Sequence, residues 1–139
     1  MQKITEDLFN ELKNVQDIKK FLDTHETSFI SETPVSVLNY LLKSKNMTVS
    51  QVARLSGTGE YVYKVFNAER KPSRNVIISI ALGMGLSIEE IQLLLRVSKF
   101  ATLDSRDKRD SIIIYGFMNN LSAFEVDDLL EENGFLTIN

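Results

Sequence analysis

The chain has 139 residues, 43% of them hydrophobic and 25% charged, which is the composition of an ordinary soluble protein. It has no cysteine and a single histidine, His25, and it offers no serine with a histidine base and no glycine-rich phosphate loop, so we expect no enzyme, cofactor or metal site. The net charge is −3 and the longest apolar run, residues 76–82, cannot span a membrane, so we expect a cytoplasmic location.

Helical spacing of apolar residues dominates the chain from its start. An amphipathic helical extension is predicted over residues 1–30. Thr33-Pro34 predicts the start of the next helix, to about Lys45, with a capping hydroxyl followed by proline in the first turn. Strand signals are nearly missing, so the predicted fold class is all-α. The stripe of the extension is formed by Ile4, Leu8, Leu12, Val15, Ile18 and Leu22.

Three later helix starts carry capping boxes, in which a serine or threonine and the residue three positions on satisfy each other's backbone amides. The predicted boxes are Thr48…Gln51, Ser87…Glu90 and Ser122…Glu125.

An internal repeat relates residues 71–103 to residues 106–138 without gaps, at an offset of 35. Ten of the 33 aligned positions are identical. The repeat predicts one helical hairpin used twice, although two unrelated helical hairpins would also look alike. We therefore predict a central helical domain over residues 31–103 and an added C-terminal hairpin over residues 104–139.

The segment from Thr48 to Ser73 meets the physical requirements of a helix-turn-helix. Ala53 gives the first helix a small residue where the second crosses it, and Gly57 tolerates positive φ in the turn. We predict that Tyr63 and Phe66 face the core. The second helix, from about Glu60 to Asn67, would then lie in a major groove.

The distribution of charge along the chain supports a nucleic-acid-binding surface in its middle part. Residues 34–86 carry seven basic and two acidic side chains, whereas residues 87–139 carry five basic and ten acidic ones. Such a chain can present a basic face to nucleic acid and repel it elsewhere.

A set of short motifs occurs in a fixed order along the chain: Thr48, Gln51, Ala53, Gly57, Tyr61-Val62-Tyr63, Lys71-Pro72-Ser73-Arg74, Gly83-Met84-Gly85-Leu86-Ser87 and Arg109-Asp110-Ser111-Ile112-Ile113. In these motifs the sequence resembles the lambda-repressor-like (XRE-type) helix-turn-helix family, and more closely a group of regulators of this type found in Firmicutes. The resemblance implies a lambda-repressor-like bundle. The family's glycine after the reading helix is replaced here by Ala68, which would be strained if the backbone needs positive φ.

The same resemblance implies roles for single residues, since base edges confer sequence choice and phosphate contacts confer affinity. Expected at base edges are Glu60, Tyr61, Lys64 and Val65. Expected at phosphates are Thr48, Gln51, Arg54, Arg70, Lys71 and Arg74.

We therefore predict a sequence-specific regulator that binds double-stranded DNA through a helix-turn-helix DNA-binding domain over residues 31–103. We expect it to be a homodimer formed through the C-terminal hairpin or the N-terminal amphipathic helix. The alternative is a protein-interaction adaptor that keeps the fold without binding DNA, because Tyr61, Val62 and Val65 would form an exposed patch if Tyr63 faces inward. A further protein or ligand at the C-terminal hairpin stays open.

Two smaller expectations concern charged helix starts. Arg74 and Arg109 recur at equivalent starts, and each is expected to pair with a carboxylate such as Glu90 or Glu125.

Overall fold

The computed structural model describes residues 33–139, and these contain seven helices and no strand. The N-terminal extension predicted for residues 1–30 therefore lies outside the described residues. The helices are α1 (Pro34–Ser44), α2 (Val49–Ser56), α3 (Tyr61–Phe66), α4 (Arg74–Met84), α5 (Ile88–Val97), α6 (Lys108–Met118) and α7 (Ala123–Glu132).

The helix starts follow the local sequence. Thr33 caps α1, and Pro34 occupies its first turn. Capping boxes open α2, α5 and α7 at Thr48, Ser87 and Ser122, so all three predicted boxes are confirmed. Each box satisfies amides that have no partner within the helix, which fixes the start to within one residue.

One apolar core runs through the described residues. It includes Val37 and Leu38 of α1, Val52 of α2 and much of α4, and it continues into α6 and α7. Helix α4 lies at the centre, with its residues 77–84 all buried. The C-terminal hairpin of α6 and α7 therefore shares its core with the segment that precedes it.

The end of the chain contacts the turn between α2 and α3. The side-chain amide of Asn139 donates to the carbonyl oxygen of Ser56 at 3.1 Å. Asp127 of α7 accepts the backbone N–H groups of Ile138 at 2.7 Å and Asn139 at 3.2 Å. These contacts attach the C-terminal hairpin to the turn between α2 and α3.

Among the described helices, none is long and apolar enough to cross a membrane.

Candidate nucleic-acid interface

Helices α2 and α3 are joined by a short turn with the backbone that the sequence predicts. Gly57 ends α2 in the left-handed region, at φ 78°, where a side chain would be strained. The hydroxyl groups of Ser56 and Thr58 lie 2.7 Å apart across this turn. Ser56 is fully buried against α4, so the turn holds α3 in a fixed direction relative to the core.

Helix α3 buries a different face from the predicted one. Val62 and Val65 are 0% exposed and Phe66 is buried, as predicted for Phe66 alone. Tyr63 is 42% exposed, so the prediction that it is a core residue is wrong. Val65 therefore cannot contact a base edge, and that predicted role is withdrawn.

The error has a physical reason. Two stripes along α3 have helical spacing, one through Val62, Val65 and Phe66 and the other through Tyr63 and Phe66. Periodicity alone does not choose between them. The observed choice buries two side chains without polar atoms, whereas burying Tyr63 would require a hydrogen-bond partner for its hydroxyl.

Tyr61 lies at the edge of this buried face and stabilises the loop that follows α3. Its ring is partly buried against the core, and its hydroxyl donates to the carbonyl oxygen of Lys71 at 3.4 Å. The contact attaches the loop to the start of α3. In this position Tyr61 is a support for the loop, and not the free base-reading side chain that the resemblance implies.

The exposed side of α3 carries polar groups. Glu60, Tyr63, Lys64 and Asn67 are all exposed there. Lysine donates to guanine O6 and N7, amides and hydroxyls donate and accept, and glutamate accepts from cytosine N4. Two of the four predicted base-reading residues, Glu60 and Lys64, therefore lie on the accessible face, and Tyr63 and Asn67, which were not predicted there, lie on it as well.

The start of α2 places two predicted phosphate contacts at a helix N-terminus. Thr48 Oγ1 accepts from the backbone of Gln51 at 3.2 Å, and Gln51 Oε1 accepts from the backbone of Thr48 at 2.9 Å. Both side chains are exposed, and the Nε2 group of Gln51 makes no hydrogen bond within residues 33–139. Amides at a helix N-terminus favour an anion.

Four exposed cations surround α2 and α3. Arg54 is in the last turn of α2, Lys64 is on α3, and Arg70 and Lys71 are in the following loop. Within the described part of the chain, none of the four forms an ion pair, so their charge is available to an external anion.

Arg74 is the exception among the predicted phosphate contacts. Its guanidinium donates to both carboxylate oxygens of Asp110, at 2.9 and 3.2 Å, and to the carbonyl oxygens of Ala101 and Thr102. The expected partner, Glu90, instead pairs with Lys45. Arg74 is therefore a structural residue, because its donors are already used inside the protein.

Ala68 adopts the strained backbone anticipated from the sequence, at φ 62°. We expect Ala68→Gly to raise the free energy of unfolding by about 1 kcal/mol, because glycine has no Cβ to clash in the left-handed region. Urea unfolding of both chains measures the difference. Ala101→Gly is the matched control, since Ala101 is exposed with negative φ, and it should lower stability. A loss of stability in Ala68→Gly would contradict the strain argument.

Among the described residues, no three histidine, cysteine, aspartate or glutamate side chains lie close enough together to hold a metal ion.

Comparison with known families agrees with this geometry. The helix-turn-helix family model matches residues 38–91, from within α1 to the first turn of α5. No curated protein and no solved structure matches the chain. Residues 38–91 are therefore similar to the helix-turn-helix family, and they lie within an all-α bundle.

Proposed function

We propose that the chain is a sequence-specific transcriptional regulator that reads the major groove of double-stranded DNA with α3. The observation that carries the proposal is the exposed polar face of α3, with Lys64 at its centre. On the adjacent loop lie Arg70 and Lys71, which form no ion pair within residues 33–139. Base contacts are assigned to Glu60, Tyr63, Lys64 and Asn67.

Phosphate contacts are assigned to residues on both sides of α3. The cations Arg54, Arg70 and Lys71 supply charge, and Thr48 and Gln51 supply donors at the start of α2. Lys64 is the fourth cation of the surface. If all four displace counterions, the logarithm of the binding constant falls with the logarithm of salt concentration with a slope of about −4 per protomer.

Binding as a homodimer to a two-fold operator, a cytoplasmic location and a kinship with bacterial regulators belong to the same proposal. A single reading helix contacts few base pairs, and two copies one helical turn apart double that number. The adaptor alternative loses one of its motives, because Val62 and Val65 of the expected exposed patch are buried.

The test is selection of bound duplexes from a random DNA pool, followed by titration of the selected duplex. We expect an enriched motif, and we expect Lys64→Glu with Arg70→Glu to weaken binding by roughly 100-fold, because each contact contributes about 1–2 kcal/mol. Binding is measured by fluorescence anisotropy at several salt concentrations.

The matched control is Lys99→Glu with Lys108→Glu, which changes the net charge equally on exposed residues outside α2 and α3. Circular dichroism verifies the fold of both double variants. If the pool yields no motif, or if the control weakens binding as much as the test variant, the proposed reading surface is wrong.

A further inference from the structure

The hairpin of α4 and α5 and the hairpin of α6 and α7 match in detail at an offset of 35 residues. Capping boxes open α5 at Ser87 and α7 at Ser122, and Glu90 and Glu125 complete them. Residues with positive φ correspond as well, Gly85 with Asn120 and Lys99 with Gly134. We call these the first and the second hairpin.

The two hairpins contact each other reciprocally. Arg74 of the first donates to Asp110 of the second at 2.9 Å, and Arg109 of the second donates to Asn75 Oδ1 of the first at 3.2 Å. Residues 74 and 109 correspond, as do residues 75 and 110, so exchange of the hairpins maps one contact onto the other. Reciprocal contacts of this kind are those of a local two-fold axis.

The outer side of the first hairpin is covered by α1 and α2. Helix α2 lies on α4, and α1 packs against α5, where Lys45 Nζ lies 3.1 Å from Glu90 Oε1. Burial raises the pKa of Glu90, but the backbone N–H of Ser87 and the ammonium group of Lys45 outweigh this effect and hold it below the ordinary value. An apolar helix with a cation at its C-terminal end therefore fits this side.

Within residues 33–139, no helix covers the corresponding side of the second hairpin. Ile80 and Gly83 of the first are buried, whereas Tyr115 and Met118 in their places are 55% and 68% exposed. Glu125 keeps its capping bond to Ser122 at 2.9 Å but pairs with no cation among residues 33–139. The groove between α6 and α7 is lined by Tyr115, Leu121, Glu125, Asp128 and Leu129.

We propose that this groove binds a basic amphipathic helix of a partner protein, placed on the second hairpin as α1 is placed on the first. Its apolar stripe would cover Tyr115, Leu121 and Leu129, and a lysine or arginine near its C-terminal end would meet Glu125. Asp128, which replaces Leu93 of the first hairpin, adds a second carboxylate to the rim.

Charge selects this occupant over the two that the chain itself could supply. A second copy on the two-fold face would bring the carboxylates of Glu125 and Asp128 near their own counterparts, and like charges at an interface repel. Residues 1–32 carry seven acidic and four basic side chains, so they complement the rim poorly. A basic partner is attracted by it.

The experiment titrates the intact chain with a synthetic peptide of residues 33–46, the α1 sequence, as the basic amphipathic probe. We expect saturable changes in the amide NMR signals of residues 115–129. Glu125→Gln with Asp128→Asn should weaken binding about 5-fold, since each partly exposed ion pair contributes up to about 1 kcal/mol. Glutamine at position 125 still completes the capping box.

Two controls accompany the titration. Glu131→Gln with Glu132→Gln removes the same charge from exposed residues of α7 outside the groove and should leave binding unchanged. A peptide with glutamate in place of Lys43 and Lys45 should bind more weakly. Three outcomes would overturn the proposal. The NMR signal changes could be confined to α3 and α5, which α1 itself contacts. The two double variants could have equal effects, or binding could fail to saturate at millimolar peptide.

Sedimentation distinguishes the remaining occupant, a second copy. If the unaltered chain sediments as a dimer and Tyr115→Lys dissociates that dimer, the groove is a self-association surface and the proposal is overturned. If Tyr115→Lys leaves the sedimentation coefficient unchanged, the proposal is supported. The groove proposal does not rest on the proposed DNA binding, so each can fail without the other. We expect the selected duplex to bind the Glu125→Gln, Asp128→Asn variant as tightly as it binds the unaltered chain.

Discussion

Gly83→Ala is expected to lower the free energy of unfolding by about 2–3 kcal/mol, although alanine normally stabilises a helix relative to glycine. A Cβ at position 83 would lie 2.8 Å from the backbone N of Ser56 and 2.9 Å from its Cα. These are backbone atoms of the last residue of α2, so they cannot rotate away. Helix α2 would have to move off α4, and urea unfolding measures the cost.

The matched control is Met118→Ala, at the corresponding position of α6, where the side chain is exposed. We expect it to change stability by less than about 0.5 kcal/mol, as is usual for surface substitutions. Because α2 carries the turn that directs α3, Gly83→Ala should also weaken DNA binding under conditions in which the protein is still folded. A stabilised Gly83→Ala protein would show that α2 and α4 pack less closely than described.

Arg74→Met is expected to destabilise the protein by about 3 kcal/mol. The substitution leaves the buried carboxylate of Asp110 without its bidentate partner, and an uncompensated buried charge is costly. It also removes the donors that meet the carbonyl oxygens of Ala101 and Thr102. Thermal and urea unfolding at neutral pH both measure the effect.

Arg109→Met is the matched comparison, since the two-fold arrangement gives Arg109 the corresponding carbonyl contacts but a neutral partner, Asn75. No charge is left unpaired, so we expect a loss of only about 1–2 kcal/mol. Adding Asp110→Leu to Arg74→Met should recover part of the stability. Equal losses in the two single variants would mean that the carboxylate of Asp110 is better solvated than its burial indicates.

If a partner helix occupies the proposed groove on the second hairpin, its effect can reach the turn between α2 and α3 through α7. Phe124 of α7 lies beside Gly57, so that a Cβ there would come within 3.3 Å of its ring. Asn139 contacts Ser56 at the same turn. A partner helix that shifted α7 would therefore act on the turn that directs α3.

Local chemistry made the helix starts and the turn predictable. A capping box is completed within four residues. The suitability of glycine at position 57 and the strain of alanine at position 68 depend only on the φ angle of that residue. The sequence thus predicted four helix starts, the turn after α2 and the strain at Ala68. The amphipathic extension over residues 1–30, the duplication and the homodimer are still predictions.

The all-α class, the capped helices and the position of the helix-turn-helix could be predicted, because they depend on interactions between residues close together in the chain. The burial of Val65, the exposure of Tyr63 and the pairing of Arg74 with Asp110 could not be predicted in this way. Those outcomes depend on which surfaces arrive opposite a residue from distant parts of the chain, and helical periodicity contains no information about that.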